Sequence, residues 1–560
     1  MKSLKSSLLI VCLLTIFCTI GCQSKKSPPP ELVDIDLLRG DIIMCGGIQF
    51  GDVSFSLSCS YETREDFNLG ISLMHSFENN EAEKAFVKVI DKDPDCTMAY
   101  WAIAMSRISP NWGPRREVFD DTRQLLKIAE SLPKTSREKD YIDAMGAYYY
   151  SNYEKTDHRT RAVKVEKKME EIYLKYEDDT EAAIFYALIL YISTDPDDKN
   201  YTNQLKAGKI LESIFPDQPN HPGIAHYIIH NYDNPELAPL ALETARIYAD
   251  IAPASAHAQH MPSHIFTRLG LWDESINTNL NSQSSAQCYA ESAGLDWPRE
   301  PREVHTLGYL LYAYLQKGDN IRAGDLYTYL KTIYKMPSVD FIAYHFAAAP
   351  VRIALENKQW DMAMNVSVHP STVQWDLFPW QKSLQSFARV LGAVHTGDLK
   401  RAEQELDSLQ SFRQELLTME DQYKANQVMI QIKAAQAWIY YAKGNNEEAI
   451  ALMIESADME DKTLKHAVTP GEVLPARELL GDMLLEMNKP AQALEAYQLD
   501  LKRHPNRFNG IYGAAVAAKN SGEQEMAILY FEELLKLAEG VDSDRVELEE
   551  AREFVRQKES

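Results

Sequence analysis

The sequence predicts an all-α solenoid of stacked helical hairpins. Three observations carry that prediction: small and aromatic residues return at fixed offsets of a 34-residue period, helical periodicity runs from Arg64 almost to Ser560, and glycines mark the turns inside the units.

The N-terminus stands apart from this pattern. Lys2 and Lys5 precede an apolar run from Leu8 to Ile20 that ends at Gly21 and Cys22, which reads as a secretory signal over residues 1–21, too short for a comfortable membrane span. A cysteine behind a small residue at the end of such a run resembles the bacterial lipobox, with Thr19 where leucine is usual. The resemblance implies a lipid on Cys22 as the mature N-terminus; an uncleaved anchor is the alternative. Gln23-Ser24-Lys25-Lys26 lacks the aspartate of an inner-membrane retention signal and the acidic run linked to surface export, so the expected location is the outer membrane, facing the periplasm.

Residues 22–40 form the expected anchor and linker, stiffened by Pro28, Pro29 and Pro30. Residues 41–60 read as a short extended or β segment, with Val53, Phe55, Leu57 and Cys59 on one side and Asp52, Ser54, Ser56 and Ser58 on the other. The helical array is expected over residues 61–560.

Within the array the tetratricopeptide consensus positions 8, 20, 24 and 32 are filled by Gly70, Ala82, Phe86 and Pro94 in the first unit, and by Gly481, Ala493, Tyr497 and Pro505 near the C-terminus. One period later Ala527 and Phe531 recur. Small residues let the two helices of a hairpin approach, the aromatic fills the gap to the next hairpin, and proline stops the second helix. In the more degenerate middle, Gly270, Gly318, Gly397 and Gly444 fall where a helix must end in a left-handed residue.

The full chain carries a formal charge of −24, and loss of the signal removes two lysines and no acid, leaving 56 basic against 82 acidic residues. Such a body repels nucleic acid and anionic lipid, so contact with a membrane is expected through the lipid anchor only. Cys45, Cys59, Cys96 and Cys288 remain in an oxidising compartment, too few for a disulfide scaffold. Cys59 is expected to pair with Cys96 or Cys45, the alternative being buried free thiols.

Two histidine pairs of equal spacing, His226/His230 and His260/His264, stand 34 residues apart, one repeat period. In the repeat phase they occupy positions 5 and 9 of adjacent first helices, facing the groove, joined there by His257, Arg268, His75 and Trp101. Imidazoles four apart share a helix face, and two such pairs could hold a divalent transition metal. A polar or anionic ligand, or a purely structural role, are the other readings. Pro262 disfavours helix at Met261, so the second pair is expected to straddle a helix start, which weakens a four-ligand geometry. Lys465 and His466 precede the Pro470-Gly471 turn, from which His466 either reaches the groove or serves the loop. No HExxH, GxSxG, Walker or dinucleotide motif occurs, and no catalytic residue is assigned.

The strings SCSYETREDFNLGISLMHSF (58–77), DPDCTMAYWAIAMS (93–106), HPGIAHYIIH (221–230), HMPSHIFTRLGLWDESI (260–276) and KHAVTPGEVLPARELLGDMLLE (465–486) resemble a family of large bacterial tetratricopeptide-repeat proteins. That resemblance implies the repeat fold and selects His75, Trp101, the histidine pairs, Arg268, Lys465 and His466 as matching positions; it implies no reaction. Thr97 and Ala467 depart from the alanine and proline of the family pattern. The first functional expectation is a non-enzymatic lipoprotein that holds a protein or peptide in its groove. The second is a metal- or small-ligand-dependent protein, conceivably a hydrolase, using the histidine cluster. A third context, an accessory to nutrient or glycan uptake, rests on no residue.

Overall fold

The computed structural model describes residues 28–47, 49–108, 113–295 and 301–559. The signal segment and Cys22 lie outside the described residues. The chain is all-α, with no β-strand among the described residues, and none of its described helices is long and apolar enough to cross a membrane.

The hairpins follow from their turns. Gly270, Gly318, Gly397 and Gly444 all adopt left-handed φ, from +65° to +85°, which only glycine takes without cost, and each ends the first helix of a unit. The aspartates behind two of them, Asp319 and Asp398, then accept the backbone N–H of Arg322 and Arg401 at 3.1 Å and cap the second helix. Close approach explains the consensus glycines: a Cβ on Gly481 would lie 2.7 Å from the Tyr497 ring, and Gly70 stands in the same relation to Phe86.

The first helices of successive units, Pro301–Gln316, Asp340–Glu356, Pro379–Thr396, Gln422–Ala442, Ala476–Glu486 and Phe508–Ser521, each meet the next along the inner layer. Helices enclosed on both sides must be apolar nearly all round, and in Asp340–Glu356 every residue from Ile342 to Glu356 is buried. A polar side chain in this layer therefore finds its partners, where it has them, inside the protein.

Buried apolar residues form two clusters, one from Leu32 to Phe266 and one from Trp272 to Phe554. Long-range contacts tie the chain together within and between these parts. Asp52 N–H donates to the Asn220 carbonyl at 3.1 Å, and Cys45 is bonded to Cys288 across 243 residues, Cα to Cα 5.9 Å. Trp272 Nε1 donates to the Asn506 carbonyl at 2.7 Å, while Asn506 Nδ2 donates to Gly270 O at 3.1 Å. A second disulfide joins Cys59 to Cys96.

The segment 41–60 is extended but pairs with no strand; side chains satisfy its amides, Asn68 Oδ1 accepting from Phe55 N at 3.0 Å and Glu138 Oε1 from Ser58 N at 2.9 Å. Phe55 is driven into the core, 5.3 Å from Phe67 and 5.7 Å from Trp101 between ring centres. The linker expected over 22–40 also ends early. Pro30–Asp34 winds into a 3-10 turn, and Leu32 and Ile35 are buried against the body.

Candidate metal centre

His226 and His230 lie four apart on helix Pro222–Tyr232, whose apolar residues belong to the first cluster. His257 and His260 belong to helix Ala256–His260, His264 to helix Pro262–Arg268. The break expected at Pro262 is a single residue: Met261 keeps helical angles, φ −54° and ψ −36°, so proline enters at the first position of the next turn, where its missing N–H costs nothing. His260 and His264 therefore stay on one face, but their Nε2 atoms meet each other whereas His226 Nε2 meets His257. Helices Pro301–Gln316 and Asp340–Glu356 add His305 and His345.

The rings gather into two trios, His226/His230/His257 and His260/His264/His305, each able to present one nitrogen apiece within 4.8 Å of the others. The outer nitrogens are fixed. His226 Nδ1 donates to the carbonyl of His75 at 2.6 Å, His260 Nδ1 to Asn279 Oδ1 at 2.7 Å, and His264 Nδ1 to Asp233 Oδ2 at 2.9 Å. Asn279 cannot be turned round, because its Nδ2 donates to Ser275 O at 2.7 Å. Neutral rings with protonated Nδ1 carry a bare lone pair on Nε2.

His260 Nε2 and His264 Nε2 face each other at 3.1 Å, each on a ring whose Nδ1 is already engaged. Burial keeps the site short of protons: it holds His226 down to about 3 and pushes His230, His257, His260 and His305 well below the ordinary imidazole range, with neighbouring imidazoles adding to the effect. A 3.1 Å approach of two imidazole nitrogens is held either by a shared proton or by a metal cation between two unprotonated ones. An ion about 2.0–2.1 Å from both nitrogens would subtend roughly 95–100°, between octahedral and tetrahedral values. A carboxylate, an amide and a backbone carbonyl behind the imidazoles are the outer partners that orient metal-binding histidines. In the other trio His226 Nε2 meets His257 Nε2, also at 3.1 Å, and His230 Nε2 is buried with no hydrogen-bond partner among the described residues.

His230, His257, His260, His264 and His305 open onto one cavity of about 370 Å³. The chain itself roofs it. Ala467 and Val468 line its wall, Tyr309 donates to Thr469 O at 2.9 Å, and Arg352 donates to Glu472 O at 2.7 Å and to Gly471 O at 2.6 Å. Along this stretch the groove foreseen for a protein or peptide is filled by the protein's own 465–472 segment, leaving room for an ion and a small molecule.

Of the other positions selected from sequence, His75 acts behind the site. Its Nε2 donates to Glu181 Oε2 at 3.0 Å, its Nδ1 accepts from Tyr227 Oη at 2.9 Å, and its carbonyl fixes His226. His221 donates to the second Glu181 oxygen at 3.0 Å, so hydrogen bonds account for the His75/Glu181/His221 cluster without an ion. Trp101 is away from the cavity, packed edge-on against Tyr141 and Phe185, because Phe55 covers the inner face there. Arg268 holds Asp233 Oδ1 at 3.1 Å and Lys465 holds Oδ2 at 2.9 Å. His466 sits in the loop between Trp380 and Tyr423, and burial lowers it to about 4. Sequence reasoning missed His305, His345 and Asn279; His305 Nδ1 meets His345 Nε2 at 2.7 Å, one proton between them. A single histidine among the mostly apolar residues of each of these two inner helices was the available signal.

No protein-family model and no curated protein matches the chain. Among solved structures it is similar to the human IFIT1 dimer with m7Gppp-AAAA, at 13% identity and a TM-score of 0.38, covering 83% of this chain and 95% of that one. It is also similar to the APC/C hetero-tetramer Cut9-Hcn1, at 10% identity and a TM-score of 0.30, covering 88% and 89%. Likenesses of this strength carry no argument about function.

Proposed function

We propose that this helical-repeat protein binds transition metal through two neighbouring trios of imidazoles. The observation that carries the reading is the pair His260 Nε2 and His264 Nε2, 3.1 Å apart, each with its other nitrogen already donating a proton. Imidazole donors suit zinc, copper, nickel or iron. Three protein ligands per ion leave coordination positions free towards the cavity, where a bound ion would supply Lewis acidity to a small molecule.

A protein partner, the remaining part of the first functional expectation, is left the outer faces of the hairpins. Solenoids present such surfaces along their whole length. The net charge of −24 argues against nucleic acid. We also propose an envelope location on the periplasmic face of the outer membrane with Cys22 lipidated; the two disulfides support an oxidising compartment.

Elemental analysis of tag-free protein reconstituted with each metal tests the central claim. The chain should retain about one to two ions after desalting, and His260→Ala/His264→Ala should lose the ion of its own trio while keeping its helical circular dichroism. Wild-type protein that retains no more metal than a folded double variant overturns the reading.

A further inference from the structure

Behind His230 and Ala467 lies a second cavity, again of about 370 Å³, with a different lining. Arg159, Arg268, Lys465 and Arg503 face it, and Asp233 is its one acidic side chain among the described residues. In a chain with 82 acids against 58 bases, such a lining runs against the overall charge.

The neighbours do not discharge this cationic set. Asp233 is shared three ways, by His264, Arg268 and Lys465. Arg159 is balanced outside by Asp195 at 2.9 Å. Arg503 spends its two terminal nitrogens on carbonyls, those of Asp461 at 2.9 Å and Thr463 at 2.8 Å, while the buried Glu472 carboxylate answers its charge only from nearby. Arg268 is 5% exposed, yet its Nη2 is buried without a hydrogen-bond partner among the described residues, and so is Arg503 Nε. Burying guanidinium N–H groups unpaired is costly unless something fills the space.

We propose that this cavity is a binding site for a small anion bearing a carboxylate or a phosphate, held by Arg268, Arg503 and Lys465. A guanidinium presents a fork that matches either group, and an ammonium beside it adds a compact point charge. Tyr191, Tyr201 and Tyr423 supply walls for the remainder of a ligand of this size. The site uses side chains other than the imidazoles and stands whether or not metal is bound. His230 and Ala467 line both cavities, so an occupant would lie next to the metal centre.

Calorimetric titration of the full chain with inorganic phosphate, with acetate and with neutral glycerol tests this, metal content being measured on the same samples. Phosphate or acetate should saturate with a dissociation constant of roughly 1 mM or tighter at constant ionic strength, and glycerol should not. A preference for phosphate assigns a phosphorylated ligand, and a preference for acetate a carboxylate. Arg503→Gln should weaken the preferred anion about tenfold with its metal content unchanged, and Arg268→Gln should also weaken the anion if it folds. If neither anion saturates the wild-type chain, or if Arg503→Gln binds as wild type, the proposal is wrong.

Discussion

Asp233 Oδ2 accepts the Nδ1 proton of His264 at 2.9 Å, and that single contact sets which nitrogen His264 turns towards His260. Burial would raise the Asp233 carboxyl, but His264 and Arg268 outweigh it and hold the group below its usual range, so it stands there as an acceptor. Asp233→Asn should therefore weaken metal binding about 10- to 100-fold, the usual loss when an outer partner of a ligating histidine is removed. Competition against a chelator of known affinity measures it, and an unchanged constant would strip Asp233 of this role.

Gly308 makes room for His345. A Cβ there would overlap His345 Nδ1, so Gly308→Ala must push the ring off His305. Overpacking of a filled interior costs about 1–3 kcal/mol. Urea denaturation should show that loss together with reduced metal retention. A loss of stability with full metal content would separate His345 from the site.

Cys45 and Cys288 join segments 243 residues apart, so their bond restricts the unfolded chain strongly. Cys288→Ser should lower stability by about 2–5 kcal/mol. The check is the urea midpoint with and without reductant, which should fall in the wild type and move much less in the variant, where only Cys59–Cys96 remains to be reduced.

His504 gives a pH signature remote from the metal. Burial alone would lower it, but Asp500 at 2.8 Å and Glu472 at 3.1 Å overcome that and raise it to about 10 from 6.5. A group raised in the folded state contributes stability fully below its unfolded value and loses it as pH rises through the folded one. Melting temperatures of wild type and His504→Gln should thus differ most near pH 6 and converge above about pH 10. A constant gap across that window would contradict the pairing.

Cys22 lies outside the described residues and is tested by chemistry. Cells fed an alkyne fatty acid should yield a labelled, membrane-sedimenting protein, and Cys22→Ser should be neither labelled nor sedimented.

Much of the fold was legible because its signals are local. Gly481 and Tyr497 are bound by a fixed offset, and Gly318-Asp319 ends one helix and caps the next within two residues. The pairs His226/His230 and His260/His264 were legible for the same reason, since four residues make one turn. His305 and His345 were not, because only the packing of two inner helices brings them to the pair. Trp101 was misplaced for a related reason: the alternation around Phe55 could be read, but not that this arm would lie over the tryptophan. At Pro262 a sound local rule met a first-turn position, where proline is tolerated.

The contact between Trp272 and Asn506 ties hairpins far apart in sequence, and the turn at Gly270 packs against Pro505. An open solenoid can gain or lose a unit by duplication, like a link in a chain. Here the units between the two contacts are staves of a cask: one more would carry Asn506 past Trp272, so geometry fixes how many stand between them.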